Sequence, residues 1–111
     1  MNTKLTPETL VTLQPQLEKL RQIDRTLTET EAEMRRIVEN NERHVSADQI
    51  QNHIEIMRQF FARTERTYNI LVEANLDDPV TAEFIALFAD RISKKDEMLA
   101  YWRQMLNTKL S

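Results

Sequence analysis

The sequence contains no glycine, and this absence restricts the possible folds more than any other feature of the chain. Tight β-hairpins and turns with positive φ depend on glycine more than on any other residue. The chain also has only three prolines, so residues that interrupt regular structure are scarce. The sequence therefore disfavours β-sheets and predicts an all-α protein built from long helices.

The length of the chain is that of one ordinary domain. It has 111 residues, of which 41% are hydrophobic and 30% are charged, so it can bury one apolar core and lies outside the composition typical of disordered chains. The sequence has no repeat of fixed period, no low-complexity tract and no linker. We therefore expect residues 1–111 to form a single helical domain.

Three groups of residues mark the starts of helices. Thr6-Pro7-Glu8 and Asp77-Asp78-Pro79 each place a capping side chain before a proline, which is favoured at the first helical position. Ser46-Ala47-Asp48-Gln49 has the pattern of a capping box. Pro15 predicts a kink or a restart in the first helical segment, because proline lacks an N–H group. These signals predict helices over residues 7–14, 15–43, 47–75 and 79–109.

The three long helices have similar lengths, about 42 to 48 Å at 1.5 Å per residue. Each carries an apolar stripe with the alternating three- and four-residue spacing that is typical of packed helices and coiled coils. Helices of equal length joined by short connections favour an antiparallel three-helix bundle, here with a short leading helix at the N-terminus. Monomer, dimer and extended or swapped assemblies all fit this pattern, so the oligomeric state stays open.

Charged residues interrupt the apolar stripes of two helices. Arg91 and Lys95 lie in the stripe of the last helix, while Asp24 and Glu31 lie in the stripe of the first. Aligning the helices at their connections places Glu31 near the height of Lys95 and Arg91. We therefore hypothesise a structural ion pair between Glu31 and one of these cations, which fixes helix register more than it stabilises the fold. Alternatively, both cations extend along apolar surface into water.

The middle helix carries a second, semi-apolar stripe beside the stripe that is expected to face the core. This stripe is either a contact with a second neighbour in the bundle or an exposed patch that binds another polypeptide. Aromatic residues near the end of the last helix are further candidates for partner contacts, because such residues are enriched at binding hot spots, although they also commonly fill cores. The predicted partner-binding residues are Ile56, Phe60, Ile70, Tyr101 and Trp102.

The sequence shows no motif for catalysis or for metal binding. There is no cysteine, and the absence of glycine excludes glycine-rich phosphate loops. His44 and His53 are too far apart to share one face at the spacing that metal sites on helices use. No serine lies in a nucleophile motif. We therefore expect no catalytic residue, no metal and no cofactor.

The charge of the chain limits its partners. A formal net charge of −3 and a pI near 5.4 provide no general positive field for nucleic acid. Apolar runs fall short of the roughly 20 residues that span a bilayer, and MNTKLTPETL lacks the apolar core of a signal peptide, so we expect no membrane association and a cytoplasmic location. A nucleic-acid-associated regulator stays open as an alternative because of local cation clusters at residues 35–36, 58–66 and 94–95.

Residues 17–24, LEKLRQID, resemble the first helix of the all-helical chorismate mutases. The resemblance covers this short stretch, and the rest of the family pattern is not recognisable in the chain. It implies a small helical enzyme that converts chorismate to prephenate and binds its dicarboxylate substrate with cations from several helices. Arg21, Arg58 and Arg63 would take that role. A small enzyme of this build is therefore a second alternative.

The pattern of apolar faces without a chemical motif predicts a non-catalytic protein–protein interaction module. Such a module would serve as an adaptor, a chaperone-like protein or a regulatory subunit. It would act through apolar helical faces on another protein or on a second copy of itself in a homodimer.

Overall fold

The computed structural model describes residues 7–75 and 77–110, and all regular structure in these ranges is helical. The described chain is elongated, with extents of 51 × 25 × 18 Å. The prediction of an all-α fold is thus confirmed. The helices are α1 (Pro7–Glu39), α2 (Ala47–Ala74), α3 (Pro79–Ser93) and α4 (Lys95–Leu110).

The starts of α2 and α3 have the predicted caps. Ser46 Oγ accepts a hydrogen bond from the Gln49 N–H at 3.1 Å, and Gln49 Oε1 accepts one from the Ser46 N–H at 2.9 Å. Asp78 Oδ2 accepts from the Thr81 N–H at 2.9 Å, with Pro79 at the start of α3. These side chains satisfy N–H groups that have no partner inside the helix. Thr6, the predicted cap of the first helix, lies outside the described residues.

Asparagine supplies the positive φ angles that end α1 and α2. Asn41 has φ 55° and Asn75 has φ 50°. At the end of α1, the Glu42 N–H donates to the Ile37 carbonyl at 3.0 Å and the Asn41 N–H donates to the Val38 carbonyl at 3.3 Å, which is the Schellman arrangement. Asparagine tolerates this conformation better than other residues with a side chain. The chain therefore ends helices sharply without glycine, and α1 ends before the predicted boundary at residue 43.

The predicted restart at Pro15 is wrong, because α1 is continuous through this residue, and the alternative of a kink stays a prediction. Proline removes one intrahelical hydrogen bond, which by itself is unfavourable. The apolar face nevertheless continues across it, with Leu17 and Leu20 buried while Pro15 is exposed. Packing of this face overrides the local preference, so the separate leading helix does not form.

The last predicted helix is divided in two at Lys94, which the sequence analysis did not predict. The Lys94 N–H donates to the Arg91 and Ile92 carbonyls, and α4 restarts with the Met98 N–H donating to the Lys94 carbonyl at 3.1 Å. Ser93 Oγ donates to the Asp90 carbonyl at 2.6 Å. Serine hydroxyls compete with helical hydrogen bonding in this way and bend helices. The break divides the predicted helix into α3 and α4.

The core lies among all four helices. The backbone of α2 lies close to those of α3 and α4, whereas side-chain contacts such as Asp24 with Arg91 and Glu31 with Trp102 join α1 to them. Trp102, Phe61, Phe84, Phe88, Ile50 and Leu71 are its largest fully buried apolar residues.

Candidate functional site

A continuous groove runs between α1 and α2, which we call the α1–α2 groove. It consists of three cavities of about 120, 280 and 230 Å³ that follow one another along the two helices. Neighbouring cavities share lining residues: Leu20 and Arg63 join the first two, and Ile56 joins the second and third. From Gln49 to Leu71 the groove follows α2 for roughly 33 Å, at 1.5 Å per residue. A groove of this length can accommodate another helix.

The floor of the groove is apolar, and part of it faces solvent. Ile56 is 42% exposed and Ile70 is 47% exposed. The α1 wall adds partly buried side chains of Leu13, Ile23 and Leu27. Exposed apolar residues that line one concavity are typical of interaction surfaces, whereas scattered ones are normal.

The described side chains that line the groove include two cations and no acid. Arg63 lines the first two cavities, and Arg43 lines the third, next to the α1–α2 connection. Neither guanidinium forms an ion pair with a described residue. The remaining polar lining includes His53, whose pKa is lowered by burial. The other polar side chains are uncharged and are Gln16, Thr30, Gln49, Asn52, Gln59 and Thr67.

The structure places the predicted partner-binding residues in three different environments. Ile56 and Ile70 are exposed in the groove. Phe60 also lines the groove, but it is only 6% exposed and belongs to the core. Tyr101 and Trp102 lie on α4, away from the groove, and Trp102 is fully buried. The prediction of Trp102 as a partner contact is therefore wrong, because its indole fills the core.

The predicted ion pair of Glu31 with Lys95 or Arg91 is also wrong, although all three side chains form ion pairs. Glu31 pairs with Arg35 in its own helix. The partner of Arg91 is Asp24, with Nε and Oδ1 2.6 Å apart, and that of Lys95 is Glu65, with Nζ and Oε1 2.9 Å apart. The alternative that both cations extend into water is likewise not observed.

The direction of helical side chains explains the exchange of partners. Side chains lean towards the N-terminus of their helix, so a long side chain reaches about one turn below its own Cα. Arg91 accordingly reaches Asp24 rather than Glu31. Lys95 lies beyond the break at Lys94 and faces α2, where Glu65 is its partner.

A buried polar cluster joins α1 to α4 around Glu31. The Glu31 side chain is 7% exposed, and its Oε1 accepts hydrogen bonds from Trp102 Nε1 at 3.0 Å and from Arg35 Nε. Arg35 also donates to both carboxylate oxygens of Glu97 at 3.2 Å and stacks over the Tyr101 ring at 4.0 Å. The buried charge of Glu31 is thereby compensated, and α4 is fixed on α1.

Burial and ion pairing act on the titratable groups of this cluster. Burial alone would lower the pKa of Arg35, but its hydrogen bonds to Glu97 and Glu31 outweigh that effect and raise the pKa. Burial lowers the pKa of His53, with a nearby Arg35 acting in the same direction and Glu31 opposing it. His53 packs edge-on against Trp102, with ring centroids 4.9 Å apart. Burial beside the Trp102 ring therefore favours the neutral form of His53.

The ionisation of Tyr101 provides a test of this cluster. Burial, followed by the hydrogen bond from Tyr101 Oη to Glu39 at 3.0 Å, raises the pKa of Tyr101 from 10.0 to about 12. The folded state thus holds a proton that the unfolded state releases between these two pKa values, so stability is present below pH 10 and falls as the pH rises towards 12. We expect the difference in phenolate absorbance between the wild type and Tyr101→Phe to rise near pH 12. Ionisation of Tyr101 near pH 10 would contradict the buried contact.

The arginines that the chorismate-mutase resemblance points to have different local surroundings. Arg21 pairs with Glu18 and lies over the Phe84 ring, and Arg58 pairs with Glu55 on the exposed side of α2. Arg63 lines the groove. Among the described residues, no group of three acidic or histidine side chains is arranged to hold a metal ion. No described helix combines the length and the apolarity that crossing a membrane requires.

Sequence reasoning missed Arg43 and the buried cluster, and it predicted Arg63 only as a candidate for binding a substrate or nucleic acid. Asp24 and Glu31 were visible as acids in an apolar stripe, which is a usable signal for buried pairs. Arg43 and Arg63 gave no such signal, because periodicity does not show which exposed arginines lack partners.

Comparison with known protein families, curated proteins and solved structures finds no match for this chain. Functional inference therefore depends on the geometry described above.

Proposed function

We propose that this protein is a non-catalytic protein–protein interaction module, an adaptor, chaperone-like protein or regulatory subunit, whose binding surface is the α1–α2 groove. The observation that carries this proposal is the solvent exposure of Ile56 and Ile70 inside one continuous apolar concavity. A groove between two helices accepts the apolar face of a third helix, with side chains at every third or fourth position as anchors.

The arrangement of helices that we propose is antiparallel. Four side-chain pairs support it. Asp24 with Arg91 and Glu39 with Tyr101 join α1 to α3 and α4, and the residue numbers rise together in both partners. Between α2 and α4 the order is reversed, since His53 contacts Trp102 and Glu65 contacts Lys95. In this arrangement α1 and α2 are neighbours joined by a short connection. A helix from a partner, or from a second copy in a homodimer, would complete a four-helix unit.

Charge placed in the groove tests the proposal. We expect the double variant Ile56→Asp/Ile70→Asp to lose partner binding at least about tenfold, because carboxylates would be desolvated on the apolar floor. Its helicity should stay close to that of the wild type, since both side chains already face water. Light scattering measures self-association, and affinity capture with the pure protein as bait measures binding of other proteins.

Val72→Asp is the matched control for this experiment. Val72 lies on α2 and is 45% exposed, as exposed as the two isoleucines, but it does not line the groove. The control variant should retain the mass and the captured proteins of the wild type. If both variants behave alike, the groove is not the binding surface.

A further inference from the structure

The charges of the α1–α2 groove distinguish among the helices that could occupy it. Acids outnumber bases in the chain, 18 to 15, yet Arg43 and Arg63 are the only permanent charges among the side chains that line the three described cavities. Each arginine lacks an ion partner among the described residues, as do Arg25, Arg66 and Arg103, which do not line the groove. The groove therefore combines an apolar floor with an uncompensated positive charge towards each half.

We infer that the occupant of the groove is an amphipathic helix from a different protein, with acidic residues flanking its apolar face. This inference rests on the proposed function and specifies the partner. An acidic flank would place carboxylates beside Arg43 and Arg63, and arginine binds carboxylates in a bidentate fork. Complementary charge at a rim contributes mainly to specificity and to the rate of association.

A second copy of the chain fits these charges less well. In a symmetric dimer through the groove, each copy offers the other the same lining, whose described residues include arginines and no acid. Arg43 and Arg63 of both copies would then lie at the interface, and no carboxylate of the described lining would neutralise their charge. An acidic helix would supply these carboxylates and would pack on the same apolar floor.

The positions of the two arginines indicate where the acidic residues of the partner helix should lie. Arg43 lines the cavity next to the α1–α2 connection, whereas Arg63 lines the other two cavities. The groove follows α2 for roughly 33 Å, which matches a helix of about 22 residues. Acidic residues are therefore expected at two separated positions on the flank of the partner helix, several turns apart. The lining also includes the side-chain amides of Asn52 and Gln59, which can both donate and accept hydrogen bonds.

A peptide library tests the inference. Its members are helical peptides with a fixed apolar stripe, in which the flanking positions are Glu, Lys or Gln. We expect selection on the wild-type protein to enrich Glu at these positions and the best Glu peptides to bind on the order of tenfold more tightly than their Gln counterparts at low salt. The variant Arg43→Gln/Arg63→Gln should lose this preference and still bind Gln peptides. Added salt should weaken Glu peptides selectively.

The other possible outcomes overturn the inference, and they show whether the groove is still a binding surface. Binding without a charge preference, or with a preference for Lys, refutes the acidic partner and leaves the groove as a binding surface if Ile56→Asp/Ile70→Asp abolishes it. Self-association that the same double variant disrupts assigns the groove to a second copy. If no peptide binds the wild type better than this double variant and the protein is monomeric, both the inference and the proposed function are wrong.

Discussion

Replacing Trp102 with alanine is expected to lower the free energy of unfolding by about 3–5 kcal/mol, the range for removing a large aromatic residue from a core. Trp102 is fully buried, contacts the rings of His53 and Tyr101, and donates its indole N–H to Glu31. The variant therefore creates a cavity and also removes a hydrogen bond from a buried carboxylate. Urea unfolding followed by circular dichroism gives the change directly.

Two further substitutions separate packing from hydrogen bonding at this position. Trp102→Phe retains much of the ring volume but leaves Glu31 without its indole donor, so a loss of about 1–3 kcal/mol is expected. Tyr101→Phe removes only the hydroxyl that bonds Glu39 at a partly exposed position, and it should cost no more than about 1 kcal/mol. If Trp102→Ala is no more destabilising than Tyr101→Phe, the indole does not fill the core.

Asp24→Ala is expected to destabilise the fold by about 3–5 kcal/mol, because it leaves a largely buried guanidinium without its partner. The side chains of Asp24 and Arg91 are 7% and 14% exposed, with Arg91 Nε 2.6 Å from Asp24 Oδ1. That contact is an ion pair whose angle falls outside that of a hydrogen bond, and Arg91 Nη2 donates to Asp24 Oδ2 at 3.4 Å. The cost therefore arises mainly from desolvated charge.

The double variant Asp24→Ala/Arg91→Leu tests whether the loss in Asp24→Ala comes from the unpaired charge of Arg91. Removing both charges should recover most of the stability, since apolar replacements of buried ion pairs are often neutral or stabilising. Glu65→Ala is the matched control: it removes the partner of Lys95 at a site where both side chains are about one-third exposed, and it should cost no more than about 1 kcal/mol. Equal losses for Asp24→Ala and Glu65→Ala would show that Arg91 reaches water when its partner is removed.

The candidate site was partly predictable. The second stripe of α2 predicted Ile56 and Ile70, and both are exposed in the groove. Phe60 belongs to the same stripe but is buried, because a helix that contacts two neighbours hides part of a wide apolar arc. Helical periodicity gives the angle of a residue around its own axis, but not which neighbour covers that angle. The groove itself, which depends on the separation of α1 from α2, was therefore not predictable.

The helical class and the starts of α2 and α3 follow from local features of the sequence. Those features depend on the scarcity of turn-forming residues and on caps such as Ser46 with Gln49 and Asp78 with Thr81, which act over only a few residues. In contrast, the hydrogen bond between Glu31 and Trp102, which is 71 residues away, depends on how the helices pack, and the sequence analysis had placed Glu31 near Lys95 instead. Advancing by one residue turns a helical side chain by about 100°, so small rotations and shifts between long helices change which charges meet.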